Sequence, residues 1–181
     1  MKRILIILSV LLMGLYSQAQ FTKATLQASG LTCAMCNKAI YQALKALPFV
    51  ESVGSDIKNA SFSVVFKQNT NVEIDALKNA VEDAGFSVAT FTLTGNFNNV
   101  SIANDKHVAI GDRHFHFLNV NDQVLNGEQT LTIVDKDFLT AKNFKKFAAA
   151  TKKICVQSGK AGACCTMEGV KANERIYHVT I

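Results

Sequence analysis

Cys33 and Cys36 are the residues whose type and spacing most directly imply chemistry. In Cys33-Ala34-Met35-Cys36 the sulfurs are three residues apart, where a loop gives way to a helix, so both can turn toward one point beside the helix start. Backbone N–H groups and the positive end of the helix dipole favour thiolate over thiol there, which prepares the pair for a metal ion or for redox exchange. Soft thiolates select Cu(I), Zn(II) and similar ions. Asn37 and Lys38 follow the pair, and no Asp, Glu or His adjoins it to complete a tetrahedral zinc site. A two-sulfur site without a hard ligand fits Cu(I) better than Zn(II). The competing reading is a structural disulfide or a thioredoxin-like redox pair. A thioredoxin-like site would normally carry an aromatic before the first cysteine and a proline facing the pair, whereas the single proline, Pro48, falls at a helix end. Outside a reducing compartment even a metal carrier can rest as the Cys33–Cys36 disulfide, so metal loading should depend on reducing equivalents.

Two further clusters are candidates. Cys155, Cys164, Cys165 and Met167 place three thiols and a thioether within a short stretch around Ser158-Gly159-Lys160-Ala161-Gly162. They form either an auxiliary soft-metal site or a disulfide from Cys155 to Cys164 or Cys165 with the third thiol buried. Five cysteines in all are an odd number, so at least one thiol stays outside any intramolecular disulfide. His114 and His116 alternate with Phe115 and Phe117, which puts both imidazoles on one strand face, where they could bind a metal together or simply form polar surface.

The elements that must position the first pair are legible in the periodicity. Residues 21–28 alternate as a strand, and Ser29-Gly30-Leu31-Thr32 breaks it. Cys36, Ile40, Ala43, Leu44 and Leu47 recur at three and four, a helical stripe closed by Pro48, with Cys36 in its first turn. Residues 50–57 and 61–66 read as a hairpin around Lys58-Asn59-Ala60. Asn71 offers a helix cap, Ile74, Leu77, Ala80, Val81 and Ala84 form the next stripe, and Gly85 is placed to stop it in a left-handed conformation. A strand from Phe86 to Leu93 completes strand, helix, strand, strand, helix, strand, which is the α+β, ferredoxin-like βαββαβ pattern.

With these elements in order, Gly30-Leu31-Thr32-Cys33-Ala34-Met35-Cys36 resembles the heavy-metal-associated domain of copper chaperones, copper-pump amino-terminal modules and periplasmic mercury-binding proteins. The resemblance covers about residues 21–94 and includes Gly85-Phe86 at the opening of the last strand. It implies reversible binding of one ion by Cys33 and Cys36, with Cu(I) favoured and Zn(II) or Hg(II) as alternatives, and delivery to a metal-donor or metal-acceptor protein by stepwise thiolate exchange. Thr32 and Phe86 would support the site rather than ligate. Leu31 stands where the family usually has an inward-packing methionine, a change that leaves the ligands untouched.

The rest of the chain sets the context. Lys2 and Arg3, the apolar run from Ile4 to Leu15 and the small residues Ser17 and Ala19 read as a signal peptide over residues 1–19. The expected protein is therefore exported, periplasmic or secreted, with no membrane span after cleavage. Residues 21–94 would form the metal domain and residues 96–181 a second, small α+β domain, with a partly open barrel as one arrangement it could take. Gly95-Asn96-Phe97-Asn98-Asn99 reads as the joint between them. In the second half, strand-like runs lie at 100–103, 108–110, 115–120, 129–134 and 175–181, with a helix over 140–152. The lysines are scattered rather than clustered, which gives nucleic-acid binding no support, although Lys38, Lys45 and Lys58 could form a basic docking face. No phosphate loop, Ser/His/Asp constellation or acid pair emerges. The expectation is a metallochaperone or metal-sequestering protein and not an enzyme; a thiol–disulfide oxidoreductase, or an interaction protein whose second half grips a partner, are the alternatives.

Overall fold

The computed structural model describes residues 20–31 and 34–181; the expected signal peptide, together with Thr32 and Cys33, lies outside the described residues. The amino-terminal half follows the predicted order as β1 (Gln20–Ser29), α1 (Ala34–Lys45), β2 (Val50–Asp56), β3 (Ser61–Phe66), α2 (Ile74–Asp83) and β4 (Ser87–Ile102). β1 pairs with β3 on one side and β4 on the other, β2 pairs with β3, and every pairing is antiparallel. That is a ferredoxin-like arrangement. The helices exist because their apolar stripes have a sheet to cover. Ile40 and Leu44 of α1 and Ile74, Leu77 and Val81 of α2 share one core with Leu26, Phe62, Val64, Phe91 and Leu93. Burying a side chain of that size contributes about 1.5–3 kcal/mol relative to exposure.

The ends of α2 follow local rules on one side only. Gly85 has φ +88°, its N–H donates to Glu82 O at 2.8 Å, and Phe86 N–H reaches back to Val81 O at 3.2 Å, which satisfies two carbonyls of the last turn. At the other end Asn71 is not the cap. Glu73 holds that position with extended backbone and no side-chain capping bond. Asn71 instead donates from Nδ2 to Glu73 Oε1 at 2.9 Å and accepts a hydrogen bond from Arg113, so a residue of the second half has claimed it.

The second half comprises β5 (Lys106–Ile110), β6 (Arg113–Phe117), β7 (Gln123–Ile133), α3 (Ala141–Ala148), the single turns α4 (Cys155–Ser158) and α5 (Ala163–Thr166), and β8 (Ile176–Thr180). Its strands extend the first sheet, giving eight strands in the order β2-β3-β1-β4-β7-β8-β6-β5. The sheet is open, with β2 and β5 at its edges, and does not curl into a barrel. The segment expected as a joint is strand: β4 runs through Gly95–Asn99 and pairs with β7 from Thr92↔Thr132 to Ile102↔Gln123. The irregularity between Phe97 and Val100 absorbs Asn98 and Asn99, the latter at φ +52°.

One core crosses both halves. Phe21 packs on Phe97 and Phe115 at ring-centroid distances of 6.3 and 5.6 Å, and Phe115 packs on Tyr177 at 5.7 Å. A polar clasp runs beside it. Arg175 donates from Nε and Nη2 to the two carboxylate oxygens of Asp75 on α2, at 3.0 Å each, and the Tyr177 hydroxyl donates to the same carboxylate at 3.0 Å. Among the described residues no helix is long and apolar enough to cross a membrane.

Candidate metal centres

β1 ends at Ser29 and the chain turns at Gly30, whose φ of +78° suits glycine, before Leu31 packs against the main core. α1 then starts at Ala34, so Cys36 sits in its first turn as expected. Cys36 is half-buried and disulfide-bonded, while Met35 beside it is 76% exposed. No acidic residue occupies that first turn to compete for the helix dipole, and Lys45 complements the dipole in the last turn. Phe86, expected as a support, is partly buried against the same core as Leu31. Cys33 and Thr32 lie outside the described residues.

The second half assembles a different constellation. The register pairs His107 on β5 with His116 on β6, and His116 with His178 on β8, so three histidines stand side by side across three neighbouring strands. Adjacent rings lie 4.4 and 5.0 Å apart. Cys155, at the start of α4, lies over this row. Its Sγ is 3.7 Å from His107 Nε2, 3.8 Å from His116 Nδ1 and 3.4 Å from His178 Nε2. The side chains of His107, His116 and His178 are at most 1% exposed, and Cys155 is fully buried.

Each imidazole turns its other nitrogen to a carboxylate. His107 Nδ1 lies 2.5 Å from Glu168, His116 Nε2 2.8 Å from Asp105, and His178 Nδ1 2.5 Å from Asp135. The carboxylates are themselves held: Lys153 donates to Glu168 at 2.8 Å, Thr151 to Asp105 at 2.7 Å, and the backbone N–H of His178 to Asp135 at 3.1 Å. Arg175 Nη2 lies 2.8 Å from the far oxygen of Asp135 as an ion-pair contact, outside hydrogen-bond alignment. Burial brings the pKa of His116 down to about 4, helped by the neighbouring His178 and His107, and burial likewise lowers that of His107. Burial, with the adjacent Cys165, pushes the Cys155 thiol well up. Burial also opposes ionisation of Glu168, but the hydrogen bonds from Lys153 and His107 outweigh it and hold its pKa at about 2.

The structure therefore regroups the residues singled out from sequence. Cys155, Cys164 and Cys165 are free thiols rather than a disulfide and a spare. Cys165 is buried beside Cys155, half-buried Cys164 lies 3.7 Å from Cys165, and Met167 is 85% exposed. His114 and His116 do not act together: His114 faces Glu174 at 3.5 Å, and His116 joins the row. His107 and His178 went unrecognised in the sequence. Their only local signal is a single histidine within a short apolar strand, and nothing in that pattern says which strands will be neighbours.

Residues 25–87 match the family model of the heavy-metal-associated domain. Over 68 residues the chain is 29% identical to a probable copper-transporting ATPase, HMA5, of Arabidopsis thaliana; the match spans 38% of this chain and 7% of the ATPase. Among solved structures, the CopZ metallochaperone is 28% identical, with 38% of this chain and all of that one covered and a TM-score of 0.35. Oxidized MerP from Ralstonia metallidurans CH34 is 26% identical, with 39% and 96% covered and a TM-score of 0.34.

Proposed function

We propose that the protein is an exported metallochaperone or metal-sequestering protein that holds one Cu(I) between the thiolates of Cys33 and Cys36 and passes it to a partner protein by thiolate exchange, without catalysing a reaction of its own. The observation that carries this reading is the sequence Gly30-Leu31-Thr32-Cys33-Ala34-Met35-Cys36, with Cys36 in the first turn of α1, inside a segment that matches the heavy-metal-associated domain. Two thiolates at a helix amino terminus suit a soft ion that prefers few ligands. Met35, next to Cys36 in the motif, is exposed, which suits the approach of an acceptor thiolate. The name of the similar copper-transporting ATPase supports copper as the cargo.

Because Cys36 is disulfide-bonded, loading requires reduction of that bond first. The same bond keeps a thiol–disulfide oxidoreductase as the second reading. Anaerobic titration of reduced protein with Cu(I) and Zn(II) against competing chelators separates the possibilities. The expected result is that Cys33→Ser/Cys36→Ser lowers the tightly bound Cu(I) by one equivalent relative to the wild type, with Zn(II) held more weakly at that pair. Equal affinity for Zn(II) there would refute the choice of ion, and catalytic disulfide reduction by the wild type but not by the double variant would move the protein to the oxidoreductase class.

A further inference from the structure

The geometry points to a second metal centre: His107 Nε2, His116 Nδ1, His178 Nε2 and Cys155 Sγ form a closed, four-coordinate site for one resident d10 ion, Zn(II) or Cu(I), that ties together the second half of the chain.

Proton counting is the first argument. Each carboxylate accepts from the imidazole nitrogen it faces, which fixes the N–H on His107 Nδ1, His116 Nε2 and His178 Nδ1. The three opposite nitrogens are then lone pairs, and all three face Cys155 Sγ at 3.4–3.8 Å. A thiol has one proton to donate. Two of the three acceptors would stay unpaired in a buried place, which is costly, and a cation satisfies all three at once.

Distance is the second argument. The donor atoms of His107, His116 and Cys155 all lie within 4.8 Å of one another, and His178, outside that trio, has its Nε2 3.4 Å from the Cys155 sulfur. Metal–nitrogen bonds of about 2.0–2.1 Å and a metal–sulfur bond of about 2.3 Å, at a tetrahedral angle, put nitrogen and sulfur about 3.6 Å apart. The observed 3.4–3.8 Å brackets that separation.

A supporting layer lies behind the ligands. A carboxylate on the far nitrogen is how proteins orient metal-bound imidazoles and raise their basicity, and here all three have one. Each carboxylate is in turn anchored, by Lys153, Thr151 or a backbone N–H. Such investment exceeds what polar filler in a core requires.

The four donors come from β5, β6, β8 and α4. His107, His116 and Cys155 are the preassembled trio, and His178, drawn in from its contact with the sulfur, would complete a tetrahedron of three neutral nitrogens and one thiolate with no open position for a substrate. Closure distinguishes a resident, structural ion from the exchangeable cargo proposed for Cys33 and Cys36, on which this inference does not rest. Binding breaks the Cys155 S–H bond, sends that proton to solvent, and forms three metal–nitrogen bonds and one metal–sulfur bond without any change of oxidation state.

The test is an anaerobic titration of the reduced full chain carrying Cys33→Ser/Cys36→Ser, with Co(II) as the spectroscopic probe and Zn(II) and Cu(I) as competitors. We expect a single equivalent of Co(II) with intense tetrahedral visible bands and a thiolate-to-Co(II) charge-transfer band, displaced by Zn(II) or Cu(I). Adding Cys155→Ser should abolish the charge-transfer band, and adding His107→Gln should weaken affinity at least tenfold. Adding Cys164→Ser/Cys165→Ser should leave both bands intact. The His107 variant lies on the edge strand β5 and keeps the test valid should Cys155→Ser fail to fold. The proposal is overturned if the Cys33→Ser/Cys36→Ser chain binds none of the three ions, or if its charge-transfer band depends on Cys164 or Cys165 instead. Loss of Cu(I) binding from a Cys155→Ser chain with Cys33 and Cys36 intact would count against the amino-terminal cargo site, so the two readings fail separately.

Discussion

Replacing Asp75 by asparagine tests whether the two halves are clasped by charge. In the wild type the Asp75 carboxylate accepts two hydrogen bonds from Arg175 and one from Tyr177, all at 3.0 Å. Fully buried, charge-assisted bonds would contribute about 1.5–3 kcal/mol each. The side chain of Asp75 is 40% exposed, however, so solvent screens the pair. The introduced amide keeps one acceptor oxygen, and Arg175 keeps its contacts to Asp135 and to Gly159 O. The net cost should then be about 1–2 kcal/mol, or roughly 2–8 °C in Tm for a chain of this size. The pH dependence is the sharper readout. Burial opposes ionisation of Asp75, but the hydrogen bonds and charge of Arg175 and the Tyr177 hydroxyl outweigh it, holding the carboxyl below its usual 3.8. A carboxyl depressed in the folded state stabilises it above the unfolded pKa, and the contribution fades as pH falls through the folded one. Urea unfolding of wild type and Asp75→Asn should therefore differ at neutral pH and converge as pH falls below the usual carboxylate range. A gap that stays constant over that range, or no gap at neutral pH, would refute the electrostatic account.

Phe115 is fully buried between Phe21 and Tyr177, so Phe115→Ala should cost about 3–5 kcal/mol, read as a lower urea midpoint at unchanged slope. Gly85→Ala meets no atom within 4 Å, which leaves only the φ of +88° to resist it; a loss of about 1–2 kcal/mol in thermal unfolding is expected, and a neutral result would mean that the turn relaxes. Asp105→Asn removes the carboxylate that orients His116, so in the Cys33→Ser/Cys36→Ser chain it should weaken Co(II) binding about 10–100-fold while leaving the amount of metal bound at saturation unchanged.

Legibility in the sequence tracked the range of the interactions involved. The periods of the α1 and α2 stripes, the alternation in β3 and the left-handed stop at Gly85 are properties of a few consecutive residues, and the structure agrees with them. Asn71 is the instructive miss. Its side chain suits a helix cap, but Arg113, 42 residues away, offers a competing hydrogen bond. Gly95–Asn99 misled for the same reason. Glycine and asparagine favour turns locally, yet β1 and β7 flank this stretch and together supply hydrogen bonds that an isolated turn would forgo.

The two candidate metal centres divide along the same line. The spacing of Cys33 and Cys36 marks them as a candidate pair from residue order alone, and the structure places Cys36 in the first turn of α1. The row of His107, His116 and His178 depends on which strands become neighbours and in what register, and a slip of one residue would send an imidazole to the opposite face. β8 reaches β6 only after α3, α4 and α5 have intervened, and Cys155 meets the row because α4 packs over it. Local propensities act within a few residues and so could single out the first candidate pair; strand register is settled by the burial of whole faces across the sheet, and only that could bring the second group together.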